Sequence, residues 1–123
     1  MASRRSSVVP KRGDVYLVAL DPTQGSEIVK RRPAFIIRND VGNRFSDLTI
    51  VAPITSKYDA ELYPTEVLVK APEGGLNTDS VVLLNRIRAV DKRRLSRRLG
   101  ALHPSTMSLV NDALAVSIGL AEL

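Results

Sequence analysis

Apolar residues in this chain fall in short runs, and each run is closed by a residue that turns or blocks the backbone. Val15 to Leu20, Ala34 to Arg38, Leu48 to Thr55, Thr65 to Lys70 and Ser80 to Leu84 span five to eight residues apiece and are rich in Val, Ile, Leu and Thr. Runs of that length and makeup read as β-strands, and Arg86 to Val90 reads as a further one. Turn formers stand between them: Asp21 to Ser26, Asn39 to Asn43 and Ala71 to Gly75 are rich in Asp, Asn, Pro and Gly. Pro33 suits the first position of its strand, whereas Pro53, inside another, argues for an edge or a bulge. Helical spacing enters only afterwards. Asp91 suits a helix N-cap, Leu95 and Leu99 stand four apart, and Gly100 fits a helix stop, so Lys92 to Leu99 is expected to form a short basic helix. Pro104 suits the first turn of a last helix, in which Met107, Val110, Leu114 and Ile118 share one face. That helix is also apolar at Ala113, Ala115, Val116 and Leu120, which fits either internal packing or a dimer interface. Strands first and helices last predict an α+β fold: a curled antiparallel sheet or small barrel of five to seven strands, with a C-terminal amphipathic helix against it.

At 123 residues the chain is one domain's worth. Residues 1–11 are expected to be a disordered basic tail, and 12–123 the single domain. There is no Cys and one His, His103. Thiolate nucleophiles, thiolate metal sites, His clusters for zinc and a two-histidine ribonuclease site within one chain are therefore excluded. The carboxylates are scattered, with no grouping that suits a metal, so no metal and no cofactor are expected. No apolar run approaches the roughly 18 residues of a membrane span, and the basic N-terminus lacks an apolar core, so a cytoplasmic protein is expected.

Net charge is +5, and its distribution is uneven: residues 28–44 carry +4 and residues 86–98 carry +6. Arginines make up 13 of the 18 basic residues. A guanidinium makes forked contacts to phosphate, so a phosphate-bearing partner fits, as does a solvated surface in an Arg-rich coding background. Two places stand out. In the first, Ser26, Glu27, Lys30, Arg31 and Arg32 lie in a loop that ends against Pro33. In the second, Thr55 and Ser56 close an apolar strand, where their hydroxyls can also simply bond nearby backbone.

Taken in order along the chain, the motifs are more specific than either place alone. Arg12-Gly13-Asp14-Val15-Tyr16, Leu20-Asp21-Pro22, Gly25-Ser26-Glu27, Arg32-Pro33, Asn39-Asp40, Val51-Ala52-Pro53-Ile54-Thr55, Asp79-Ser80-Val81, Ile87-Arg88 and Val90-Asp91-Lys92 closely resemble the MazF/PemK family of toxin endoribonucleases. The likeness runs from about Lys11 to Leu123. It implies a small SH3-like barrel with a C-terminal helix, a homodimer, and metal-independent cutting of single-stranded RNA at short sequences. The ribose 2′-hydroxyl attacks the adjacent phosphorus and leaves 2′,3′-cyclic phosphate and 5′-hydroxyl ends. A cognate MazE-like antitoxin silences the enzyme. The family's key arginine matches Arg32 and its key threonine matches Thr55.

RNA supplies the nucleophile in such a reaction, so the protein has only to align it and stabilise charge on the phosphorane. Arg32 and Thr55 suit that task. A guanidinium is too weak a base for the remaining role, because it stays protonated at neutral pH. Glu27 is the candidate base, and its alternative role is an ion pair with Arg31 or Arg32. Ser26, Lys30, Arg31 and Ser56 are candidate RNA contacts, and Asn85, Arg86 and Arg88 are candidates for reading base edges. The chain departs from the family pattern in two places. Ile28-Val29-Lys30-Arg31 replaces the usual Gln and Gly, and Arg86 stands where relatives often have Gln, so the cut sequence is expected to differ. Phe45, Tyr58 and Tyr63 are expected in loops, where they can stack bases or cover the barrel end. Lys92 to Arg98 can meet RNA phosphates, bind an acidic antitoxin tail or stay solvated. Two rivals remain: a non-enzymatic CcdB-like gyrase poison of the same fold, and a DNA-binding module acting with its antitoxin at a promoter.

Overall fold

A computed structural model describes residues 8–20 and 30–122. Among the described residues the elements in order are seven strands and two α-helices: β1 (Asp14–Val18), β2 (Arg32–Ile36), α1 (Asp40–Phe45), β3 (Leu48–Thr55), β4 (Glu66–Val69), β5 (Ser80–Leu83), β6 (Arg88–Asp91), β7 (Leu95–Ala101) and α2 (Pro104–Ser117). Short 3₁₀ turns cover Glu73–Gly75, Leu84–Arg86 and Lys92–Arg94. All pairings are antiparallel, in the order β4-β5-β3-β2-β1-β7, with β6 beside the first half of β3. The sheet curls but stays open, with β4 and β7 at its two ends, so the architecture is α+β rather than a closed barrel.

Both faces of the curled sheet are apolar. Val15, Phe35, Ala52, Ile54, Val67 and Val82 belong to the larger core, which α2 covers through Val110 and Ala113. Tyr16, Val18, Ala34, Ile36, Val51 and Leu95 belong to a smaller one on the other face. Strand alternation explains the split, since neighbours along β1, β2 and β3 point to opposite sides. Val8 packs against the smaller core, Pro10 is buried, and the Lys11 N–H donates to Asp14 Oδ2 at 2.9 Å.

Three local expectations are corrected. Asn39 to Asn43 does not stay a loop: the Asn39 Oδ1 accepts from the Gly42 N–H at 2.8 Å and caps α1. Lys92 to Leu99 is not a helix: one 3₁₀ turn follows Asp91, and Leu95 opens β7. Gly100 accordingly stops no helix but lies in β7, where a Cβ would come within 2.7 Å of the Gly74 carbonyl carbon. The buried face of α2 centres on Thr106, Val110 and Ala113, with Met107 and Leu114 at its flanks, while Ile118 is half exposed. Pro53 falls where β3 changes partner from β6 (through Val51) to β5 (from Ile54), so its missing N–H interrupts neither ladder.

β7 carries two bulges. Val18 pairs with Leu95 but Leu17 with Arg97, and Tyr16 pairs with Arg98 but Val15 with Gly100. Ser96 and Leu99 are therefore the extra residues. In a regular strand Leu95 and Arg97 would share a face; the bulge at Ser96 sends Arg97 to the side of Leu17 instead.

Candidate active site

β2 begins at Arg32, and Pro33 behind it disfavours helical backbone at Arg32 and keeps it extended. Arg32 pairs with Val18 on one side. On the other, the register Ala34 to Pro53, carried two residues further, sets Arg32 opposite Thr55. Thr55 in turn pairs with Val81. One cross-strand row thus reads Val18, Arg32, Thr55, Val81. The two valines have no exposure, whereas Arg32 is exposed and Thr55 is half-buried at the rim. Side chains directly opposite in such a row share a face, so a guanidinium and a hydroxyl stand together between two buried residues.

The Thr55 hydroxyl is held locally. Its oxygen accepts from the Lys57 N–H at 3.1 Å, and its proton faces the Lys57 carbonyl oxygen at 3.3 Å. The second bond is long, so the proton can be handed to a better acceptor without disturbing the oxygen's position.

Two clefts meet at this rim, one of about 820 Å³ and one of about 510 Å³, and Arg32, Ile54, Thr55, Ser56 and Lys57 line both. The larger cleft brings Asn85 and Arg86 to the same site, with Tyr58 and Tyr63. Of the residues expected from sequence, Arg32, Thr55, Ser56, Asn85 and Arg86 are therefore together. Lys30, Arg31 and Arg88 are exposed but line neither cleft. Ser26 and Glu27 lie outside the described residues. Among the described residues no group of three or more His, Asp or Glu side chains gathers to hold a metal ion.

Sequence reasoning does not single out Lys57, Asn77 or Thr78 as site residues and marks Arg97 only as one of the basic stretch Lys92 to Arg98, yet all four line the smaller cleft. Lys57 had a signal, two residues past Thr55. Arg97 was obscured by the helical reading of its segment. Its basic neighbours are engaged elsewhere. The buried Lys92 Nζ donates to the Asn43 carbonyl at 2.7 Å. Arg93 pairs with Asp91, Arg94 donates to the Ala19 carbonyl, and Arg98 pairs with Asp14. Arg93, through its hydrogen bonds above all, holds the Asp91 carboxyl below its ordinary value.

An open curled sheet with an Arg–Thr pair on its rim, flanked by two clefts, defines a small α+β protein with a basic, polar rim. Residues 11–118 match the family described as PemK-like, MazF-like toxin of type II toxin-antitoxin system. The chain belongs to that family. It is 43% identical over 115 residues to endoribonuclease EndoA of Bacillus subtilis, covering 94% of this chain and 99% of that one. It is 46% identical over 110 residues to endoribonuclease MazF of Staphylococcus saprophyticus, covering 89% and 92%. Among solved structures, an endoribonuclease in complex with its cognate antitoxin from a mycobacterial species superposes with a TM-score of 0.76 at 28% identity, covering 93% of this chain and 99% of that one. No helix among the described residues is long and apolar enough to cross a membrane.

Proposed function

We propose that this chain is the endoribonuclease toxin of a type II toxin–antitoxin system. It cuts single-stranded RNA at a short sequence, acts in the cytoplasm as a homodimer, and is silenced by a cognate MazE-like antitoxin. The observation that carries the reading is the shared cross-strand row of Arg32 and Thr55, open to both clefts, in a chain whose relatives are named endoribonucleases.

The chemistry needs little from the protein beyond position and charge. The 2′-oxygen attacks the adjacent phosphorus in line with the 5′-oxygen and gives up its proton to a base. As the phosphorane forms, Arg32 forks onto its non-bridging oxygens and the Thr55 hydroxyl donates to one of them. The P–O5′ bond then breaks, the 5′-oxygen of the downstream fragment takes a proton, and the upstream fragment keeps a 2′,3′-cyclic phosphate at its 3′ end. Glu27 is the proposed base, and Arg32 the proposed proton donor to the leaving oxygen. Ser26, Lys30, Arg31 and Arg88 are the proposed further RNA contacts, by sequence and charge. RNA brings the nucleophile and Arg32 the compensating charge, so this route calls for no metal.

The test is incubation of purified protein with mixed-sequence RNA in EDTA. Discrete fragments ending in 2′,3′-cyclic phosphate and 5′-hydroxyl are expected. Intact RNA together with inhibited gyrase supercoiling would replace the reading with that of a gyrase poison.

A further inference from the structure

The two clefts that meet at the Arg32–Thr55 rim differ in kind. Among the described residues the smaller is lined by Arg32, Lys57 and Arg97 and by the polar side chains of Asn77 and Thr78, with no carboxylate and no aromatic ring. The larger sets Arg32, Lys57 and Arg86 against Asp59 and Glu66, and adds Tyr58 and Tyr63. Counted over the described residues, formal charge along the linings is thus +3 on one side, from three cations, and +1 on the other, from three cations and two carboxylates.

Each lining has a structural cause. Arg97 reaches the smaller cleft because the bulge at Ser96 sends it to the face of Leu17. The opposite wall is brought close by glycine: Gly75 sits at φ +73°, and a Cβ there would lie 2.0 Å from the Leu99 carbonyl oxygen. In the larger cleft Tyr63 is 67% exposed, yet its backbone is tied at both ends to Glu66. The Tyr63 N–H donates to Glu66 Oε1 at 2.9 Å, and the Glu66 N–H donates to the Tyr63 carbonyl at 2.9 Å. An exposed ring on a pinned turn loses little entropy when it stacks.

We propose that the Arg32–Thr55 rim divides the bound RNA in two: on the Arg97 side the sugar–phosphate backbone is gripped whatever its sequence, and on the Tyr63 side bases are stacked and read. A cleft whose described lining holds cations and neutral polar groups suits phosphates, and its contribution is electrostatic and salt-dependent. Carboxylates repel phosphate but accept from base N–H groups, while Tyr63 offers a face to any base and Asn85 offers both a donor and an acceptor to base edges. This inference rests on the ribonuclease reading above.

The test compares wild type, Arg97→Ala and Tyr63→Ala on a randomised RNA pool, with cut sites sequenced and kcat/KM followed against salt. Arg97→Ala is expected to keep the wild-type site preference, lower cutting of all sites together, and flatten the log–log salt slope by about 0.7 for one lost phosphate contact on a single strand. Tyr63→Ala is expected to keep the salt slope, lose roughly 5- to 150-fold on the best sites, and broaden the preference. Tyr63→Phe, which keeps the ring, restores the wild-type profile and shows that folding is intact. If Arg97→Ala alters the preference, if Tyr63→Ala leaves it unchanged, or if both variants cut like wild type, the division is overturned while the ribonuclease reading stands. A wild type that binds and cuts no RNA removes both.

Discussion

Arg32 owes its position to Pro33 and to the strands on either side of it, so its removal is expected to cost chemistry and not structure. Arg32→Ala and Thr55→Val each take away one donor to the developing phosphorane charge, a loss of about 10²- to 10³-fold in kcat. Neither is expected to arrest growth when expressed, and both should keep the wild-type circular dichroism spectrum and oligomeric state. Thr55→Ser keeps the hydroxyl and is expected to keep most of the rate. Tyr16 shows the same logic in the core. Burial above all, and then the Asp14 carboxylate, push its phenol above the ordinary value of 10.0, against the pull of Arg98. A raised value means the folded state favours the neutral phenol. The corresponding stability is fully present below pH 10.0 and is lost as pH climbs through the folded value. An ultraviolet titration should show Tyr16 ionising only above the ordinary phenol value, and stability in urea falling as it does so.

Among the elements, the strands were legible in sequence and the segments around them were less so. β1 to β5 each announce themselves by β-branched content between turn formers. α1 is six residues long and has no apolar period, so only its cap marks it. β7 defeated periodicity for a clear reason. Leucines four apart fit a helix, but they also fit a strand, and here two bulges send Leu95 to the smaller core and Leu99 to the larger. Lys92, at the start of that segment, belongs to the interior. Its ammonium meets the Asn43 carbonyl, while the Thr49 hydroxyl donates to Asn43 Oδ1 at 2.6 Å. Lys92→Met leaves a buried acceptor without its donor and is expected to cost about 1–3 kcal/mol in urea unfolding. Arg93→Ala, next in sequence and 74% exposed, is expected to leave the urea midpoint where it was.

Across the whole molecule, stability rests on two small cores that share one sheet. Phe35 has no exposure, and Phe35→Ala is expected to remove about 3–5 kcal/mol, a large part of what a domain of this size holds. A shift of the denaturation midpoint without a change in slope would confirm a cavity and not an altered unfolded chain. The candidate site was legible where it rests on strand ends. Arg32-Pro33 and Pro53-Ile54-Thr55 carry their geometry in their own sequence, and the sheet only has to bring them into register. Lys57 and Asn77 were not legible, because a turn and a loop place them, and Arg97 was legible only as one cation of a basic stretch, because a bulge sets its direction; none of these leaves a periodic trace.

The doubly kinked β7 has one more effect, on the company the protein keeps. A straight outer strand offers its free amides and carbonyls as a template for any passing strand, and ribbons of molecules can grow from it. β7 is bent at Ser96 and again at Leu99 and carries Arg97 and Arg98, so it makes a poor template, and copies of this chain are steered to meet through side chains instead of by zipping backbone to backbone.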